Sequence, residues 1–127
     1  MLEVRPIGEA DDQPGDLAAV DPDVVLADQI IDAARAAGLE APEPVVDFLI
    51  DELDVEPLLD RVPRPMSRGE WQIAALLVTL ASPRATLTLV DPTAGLDGRR
   101  RRVVVDLLRD LAQDRPVVVV SDDPAFG

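Results

Sequence analysis

Apolar residues recur at helical spacing in the first half of the chain and at strand spacing in parts of the second. Val24, Val25, Ala27, Ile30, Ile31 and Ala34 follow the period of a helix face. Asp21-Pro22 offers a cap followed by a proline suited to the first helical position, and Gly38 offers a stop, so a helix is expected between them. A second helix is expected from about Pro44 to Leu53, with Val45, Leu49 and Leu53 as one stripe and Val46 and Ile50 beside it. A helical turn over Glu56 to Asp60 follows. Val62-Pro63-Arg64-Pro65 then breaks the pattern, because proline inside a helix removes a donor and clashes with the preceding turn. Ser67 and Glu70 stand at capping-box spacing, ahead of Ile73, Leu76, Leu77 and Leu80. Ser82-Pro83 ends that helix.

Leu87, Leu89 and Val90, interleaved with Thr86 and Thr88, predict a short strand. Pro92 to Gly95 is a turn. Asp97 caps a helix expected from about Gly98 to Ala112, with Val103, Leu107, Leu108 and Leu111 on its buried side. Arg115-Pro116 breaks it, and the valines Val117 to Val120 predict a strand covered on both faces. The pattern is therefore α/β: a helical segment followed by a parallel βαβ unit. Three regions are expected: an acidic strand and loop over 1–20, a helical region over 21–65, and a helix plus βαβ region over 66–127. Two parallel strands make a poor sheet, because each leaves an edge unpaired. Residues 1–8, a second copy or another protein should lie beside them. Within the chain, residues 1–5 are the candidate to pair with Val117 to Val120.

Composition narrows the chemistry. With 127 residues, 47% of them apolar, the chain suits one packed domain and not a disordered acidic tail. Its aromatic residues are Phe48, Trp71 and Phe126, so the core is mostly aliphatic. The net charge of -13 is uneven: residues 1–60 carry 17 acids and 2 arginines, residues 61–127 carry 8 acids and 10 arginines. Such an acidic first half repels nucleic acid, and no nucleic-acid partner is expected. The run Arg99 to Arg102 reads as a solvated helix face. Cysteine and histidine are absent, which removes thiolate chemistry and the commonest metal ligands, and no metal site is expected. No signal segment or long apolar run occurs, so a cytoplasmic protein is expected, peripheral to the membrane's inner face where a partner holds it there.

Several motifs then stand in a telling order. Met66 to Gln72 reads MSRGEWQ, Val90 to Asp97 reads VDPTAGLD, and Val117 to Ala125 reads VVVVSDDPA. They resemble, in turn, the LSGGQ or LSGGE signature, the Walker B and D-loop run DEPTAGLD, and the switch region VVVVTHDPA of ATP-binding cassette (ABC) transporter ATPases. LLDRVPRPMS resembles the approach to the signature, and DPDVVLADQI resembles the opening of the helical subdomain. The resemblance covers roughly residues 20–125. It implies a truncated and degenerate ABC ATP-binding domain, a partial P-loop NTPase-like half-domain.

The departures decide what the resemblance implies for function. The Walker A loop is missing, and the chain has no lysine to hold phosphate. Without a gap, Asp91 stands at the catalytic-glutamate position and Val90 at that of the metal-binding aspartate; a slipped register instead gives Asp91 the metal position and deletes the glutamate. Either way one carboxylate is lost where the chemistry wants two. Asp122 stands at the switch-histidine position, where a carboxylate repels a γ-phosphate. The resemblance implies a signature-like phosphate contact at Ser67, Arg68, Gly69 and Glu70, with Arg68 replacing a glycine, while helix capping alone accounts for Ser67 and Glu70. Gln13 is a weak candidate for the Q-loop glutamine. No cofactor is expected for the chain alone, and ATP with Mg²⁺ only beside a partner ATPase. Two classes of function follow: a non-catalytic or accessory ABC protein pairing with a competent ATPase or transporter subunit, or a structural protein or relic that self-associates through its sheet edge. Both imply a homo- or hetero-oligomer.

Overall fold

The computed structural model describes residues 1–9 and 15–126. Elements run β1 (Leu2–Arg5), α1 (Leu26–Ala36), α2 (Pro44–Glu52), α3 (Arg68–Leu80), β2 (Leu87–Val90), α4 (Gly98–Leu111) and β3 (Val117–Val120). Short 3-10 turns lie at Ile7–Glu9, Glu56–Leu58 and Pro124–Phe126. The chain divides into two compact units, residues 18–83 and residues 1–17 with 84–127.

The sheet unit is α/β, with a three-stranded parallel sheet in the order β1-β3-β2. Leu2 aligns with Val117 and Leu87, and Val4 with Val119 and Leu89, so one face of the sheet is wholly aliphatic. The four valines are thus the central strand, and Val117, Val119 and Val120 are buried. The N-terminal residues do supply β3's second neighbour. Val117 donates to the Met1 carbonyl at 3.1 Å and Ser121 to that of Arg5 at 2.8 Å, while the terminal ammonium bonds Ala112. On the other side, the Asp91 N–H reaches the Val120 carbonyl at 2.7 Å.

Asp97 caps α4 by accepting the Arg100 N–H at 2.9 Å. Val104, Val105, Leu107 and Leu108 form its buried stripe, so the apolar face is rotated from the expected one: Val104 and Val105 are buried where Val103 and Leu111 are only half-buried.

In the helical unit α1 and α2 both pack on α3. The start of α1 lies at Leu26, four residues beyond the proline that the sequence nominated. Asp21 does cap, but it caps a turn: its carboxylate accepts the Asp23 N–H at 2.9 Å. The first donors of α1 find carbonyls instead, Leu26 that of Arg61 and Ala27 that of Leu59, both at 2.9 Å. The Gln29 amide bonds back to Asp21 and Val24, and a forked Arg64–Asp23 pair at 2.7 and 2.8 Å ties the proline-rich segment to this turn.

Both short helices end in paired reversed bonds. Gly38, at φ 84°, lets its own N–H reach Arg35 and that of Leu39 reach Ala34. After α2 the same device uses Asp54 at φ 55°, with Val55 bonding Ile50 and Asp54 bonding Asp51. Asp54 therefore sits where glycine is preferred, at a cost that aspartate bears better than most residues.

Both bonds of the α3 capping box form: Glu70 N–H to Ser67 Oγ at 3.1 Å, and Ser67 N–H to Glu70 Oε1 at 3.0 Å. Substituting Ser67→Ala should lower stability by about 1 kcal/mol, read as a lower urea midpoint at unchanged slope. An unchanged midpoint would mean that packing alone holds the helix start.

Candidate functional site

The carboxyl ends of β2 and β3 carry the sheet unit's candidate residues. In open α/β sheets this end is where loops gather and ligands bind. Asp91 leaves β2 with φ 49°, a left-handed conformation that turns the chain sharply into Pro92. Its N–H is held by Val120 and its carbonyl accepts the Ala94 N–H at 3.2 Å, so its backbone is fixed on both sides. Val90, beside it in the strand, carries no oxygen ligand for a cation.

Asp122 follows β3 by two residues and is exposed. Its Oδ1 accepts the backbone N–H of Ile7 at 3.2 Å. Asp91 and Asp122 therefore end neighbouring strands. Asp122 is engaged with the segment that leaves β1.

Asp123 is the more organised carboxylate. Its side chain is only 10% exposed. Thr93 Oγ1 donates to its Oδ2 at 2.7 Å, the Ala125 N–H to its Oδ1 at 2.9 Å, and Arg101 Nε lies 3.9 Å from Oδ2. Its own N–H is taken by Ser121 Oγ at 2.9 Å. Burial pushes its pKa up, but the bonds from Ala125 and Thr93 and the Arg101 charge outweigh that and hold it below the usual 3.8. Thr93 and Ser121 are both buried, so this network pins the turn after β2 to the loop after β3. Sequence spacing did not reveal it, because Thr93 and Asp123 lie 30 positions apart. The available signal was the polar pair Thr93 and Ser121 beside otherwise apolar strands.

An open cleft of about 270 Å³ runs past this network, lined by Gly98, Arg101, Arg102, Asp123, Pro124 and Ala125. Arg101 and Arg102 line it together with Asp123, which lies 3.9 Å from Arg101 Nε. Arg109 donates to the Ala125 carbonyl at 3.1 Å, so the arginine-bearing helix also anchors the last turn.

Ser67, Arg68, Gly69 and Glu70 lie at the start of α3 in the helical unit. Ser67 and Arg68 are exposed. The capping box engages the Ser67 and Glu70 N–H groups internally, which leaves the Arg68 and Gly69 amides as the outward donors of that end. Trp71 is half-buried in the first turn. Gln13 lies outside the described residues. Among the described residues there is no group of three or more acidic, histidine or cysteine side chains that could hold a metal ion, and no helix long and apolar enough to cross a membrane.

No protein-family model matches the chain. It is similar to curated ATP-binding proteins: a putative ABC transporter ATP-binding protein of Treponema denticola, at 27% identity over 103 residues; a sulfate/thiosulfate import ATP-binding protein of Nephroselmis olivacea, at 39% over 72; and a molybdenum import ATP-binding protein of Aromatoleum aromaticum, at 38% over 81. These matches cover 80%, 57% and 62% of this chain, but only 21%, 21% and 22% of the relatives. The chain thus spans about a fifth of the length of these relatives. Among solved structures, a bacterial ABC transporter cassette in dimeric form superposes with a TM-score of 0.69 at 20% identity, over 82% of this chain and 48% of the other. The ATP-binding subunit of another ABC transporter gives 0.66 at 18% identity, over 94% and 48%. Fold and sequence similarity together point to an ABC-transporter ATP-binding domain, and the fold is a partial one of that kind.

Asp123 also predicts an acid response. Its folded-state pKa lies below the unfolded value, so its stabilisation is present above about pH 4 and is lost as pH falls through the folded value. Asp123→Asn should lower stability at neutral pH and flatten the decline below that point. Urea titrations of both proteins from neutral pH into acid would show it, and parallel curves would contradict it.

Proposed function

We propose that the chain is a non-catalytic, accessory ABC ATP-binding-like protein that works beside a competent ATPase subunit. The observation that carries this reading is the engagement of Asp122. At the position resembling the switch histidine, a carboxylate accepts the Ile7 N–H instead of offering a proton donor to a phosphate. The strand beside β3 leads into Pro6-Ile7-Gly8, with no glycine-rich loop and no lysine. Phosphate binding by this chain alone would have to proceed against Asp91, Asp122 and Asp123 at one end of the sheet.

In this reading Ser67, Arg68 and Gly69 are what the chain brings to a partner's nucleotide. Arg68 offers a guanidinium that can grip phosphate with two bonds, and it stands among the first amides of a helix. Asp91, at the catalytic-glutamate position, is one methylene shorter than glutamate and sits beside a valine, so it supplies neither the full metal clamp nor the usual reach to a water. ATP and Mg²⁺ are then held mainly by the partner. The place of work is the cytoplasmic side of a membrane transporter that the partner serves.

Mg-ATP titrated calorimetrically into the purified chain should give no binding heat. The same titration into a mixture with an ABC ATPase cassette from the same source should show tighter nucleotide binding than the cassette alone. Micromolar binding by the chain alone would overturn the reading, and so would a cassette whose affinity the chain leaves unchanged.

A further inference from the structure

The two edges of the sheet are finished differently. Thr88 turns its N–H and carbonyl outward from β2, and residue 16 takes both: the Asp16 N–H bonds the Thr88 carbonyl and the Thr88 N–H bonds Asp16 Oδ2, each at 2.7 Å. Gly15 makes this possible, because a Cβ there would stand 3.0 Å from Val90 Cγ2. Asp16 also lies 3.6 Å from Arg84. That edge is closed to a further strand.

The β1 edge has no such cover among the described residues. Met1 and Arg5 turn their carbonyls to β3, so by the alternation of a parallel ladder Leu2 and Val4 turn their N–H and carbonyl groups outward. Exposed apolar side chains gather here. Met1, Val4 and Ile7 are three of the five large apolar residues exposed in the described chain. Sheet edges of this kind are templates for strand addition.

We propose that β1 pairs antiparallel with β1 of a second copy, about a two-fold axis at Val4. The charges beside Val4 select this occupant and this register. Glu3 and Arg5 flank it on one face and form an ion pair within the strand. Centred on Val4, the pairing sets Glu3 opposite the partner's Arg5, and Arg5 opposite the partner's Glu3, at positions where antiparallel side chains approach closely. The two Val4 residues exchange main-chain bonds, and each Leu2 N–H meets the partner's Pro6 carbonyl. A register shifted by one residue on each chain would put Glu3 against the partner's Glu3, which repels. Pro6 has no N–H, so the pairing ends there. The result is a continuous six-stranded sheet with the two β1 strands at its centre. This dimer does not depend on the accessory role, since it uses neither a nucleotide nor the residues of α3.

Sedimentation equilibrium of the full chain, from low to high micromolar, tests the proposal. The expected result is a reversible monomer–dimer equilibrium that salt weakens. Val4→Pro deletes an outward N–H and no ladder bond to β3, so it should weaken the dimer by about tenfold or more while the circular dichroism spectrum is kept. Glu3→Arg and Arg5→Glu each place like charges across the interface and should each associate weakly alone. Mixed together they should form a heterodimer about tenfold tighter than either homodimer, although neither chain keeps its own intrastrand pair. A monomer at every concentration would overturn the proposal. So would a dimer that tolerates Val4→Pro, or a mixture no tighter than its components.

Discussion

The sheet depends on the need of one strand for two neighbours. Val117 to Val120 is buried and central, and an unpaired amide or carbonyl on either side of it would be costly. β2 meets one side through a local connection, α4. The other side is met by the first residues of the chain, more than 110 positions away, through bonds to Met1 and Arg5. Such a closure is entropically expensive to form, and it stabilises only when the whole ladder is made together. The burial that offsets that cost comes from Val117, Val119, Leu87 and Leu89 on that aliphatic face, with Leu2 half-buried beside them.

The loops at the carboxyl end of the sheet are held by a different kind of force. Thr93, Ser121 and Asp123 are polar groups at the margin of an apolar core, and each finds a partner there. No buried side-chain polar atom among the described residues lacks a hydrogen bond. The turn after β2 and the loop after β3 are therefore rigidly coupled. Three aspartates at one end of the sheet would repel one another if none were compensated. Asp123 is compensated by donors and a nearby arginine, and Asp122 by a backbone amide.

What was legible in the sequence was what local chemistry decides. Helix caps at Ser67 and Asp97, the stop at Gly38, the breaks at Pro83 and Pro116, and the valine strand are each set within a few residues. The pairing of residues 1–5 with β3 could be expected because a central strand needs a neighbour and only one segment alternated suitably. The start of α1 was misread because the cap and proline at Asp21-Pro22 form a turn, while the donors of the true start bond carbonyls from residues 59 and 61. Distant partners of that kind leave no mark at local spacing. The same holds for Thr93 with Asp123, and for Asp16, which read as one more acid in an acidic linker but closes the β2 edge.

The carboxylate at Asp122 and the strand at the N-terminus are best understood together. β1 ends at Arg5, whose carbonyl accepts the last bond from the β3 side, the Ser121 N–H at 2.8 Å. Ile7 then presents the first amide after the break, at an exposed position and with no strand left to receive it. A histidine at the end of β3 could accept that bond only through a neutral ring nitrogen of suitable tautomer. Aspartate accepts it with a charged oxygen, which makes a stronger bond and needs no tautomer. Asp122 thus fastens the segment that leaves β1 to the loop after β3.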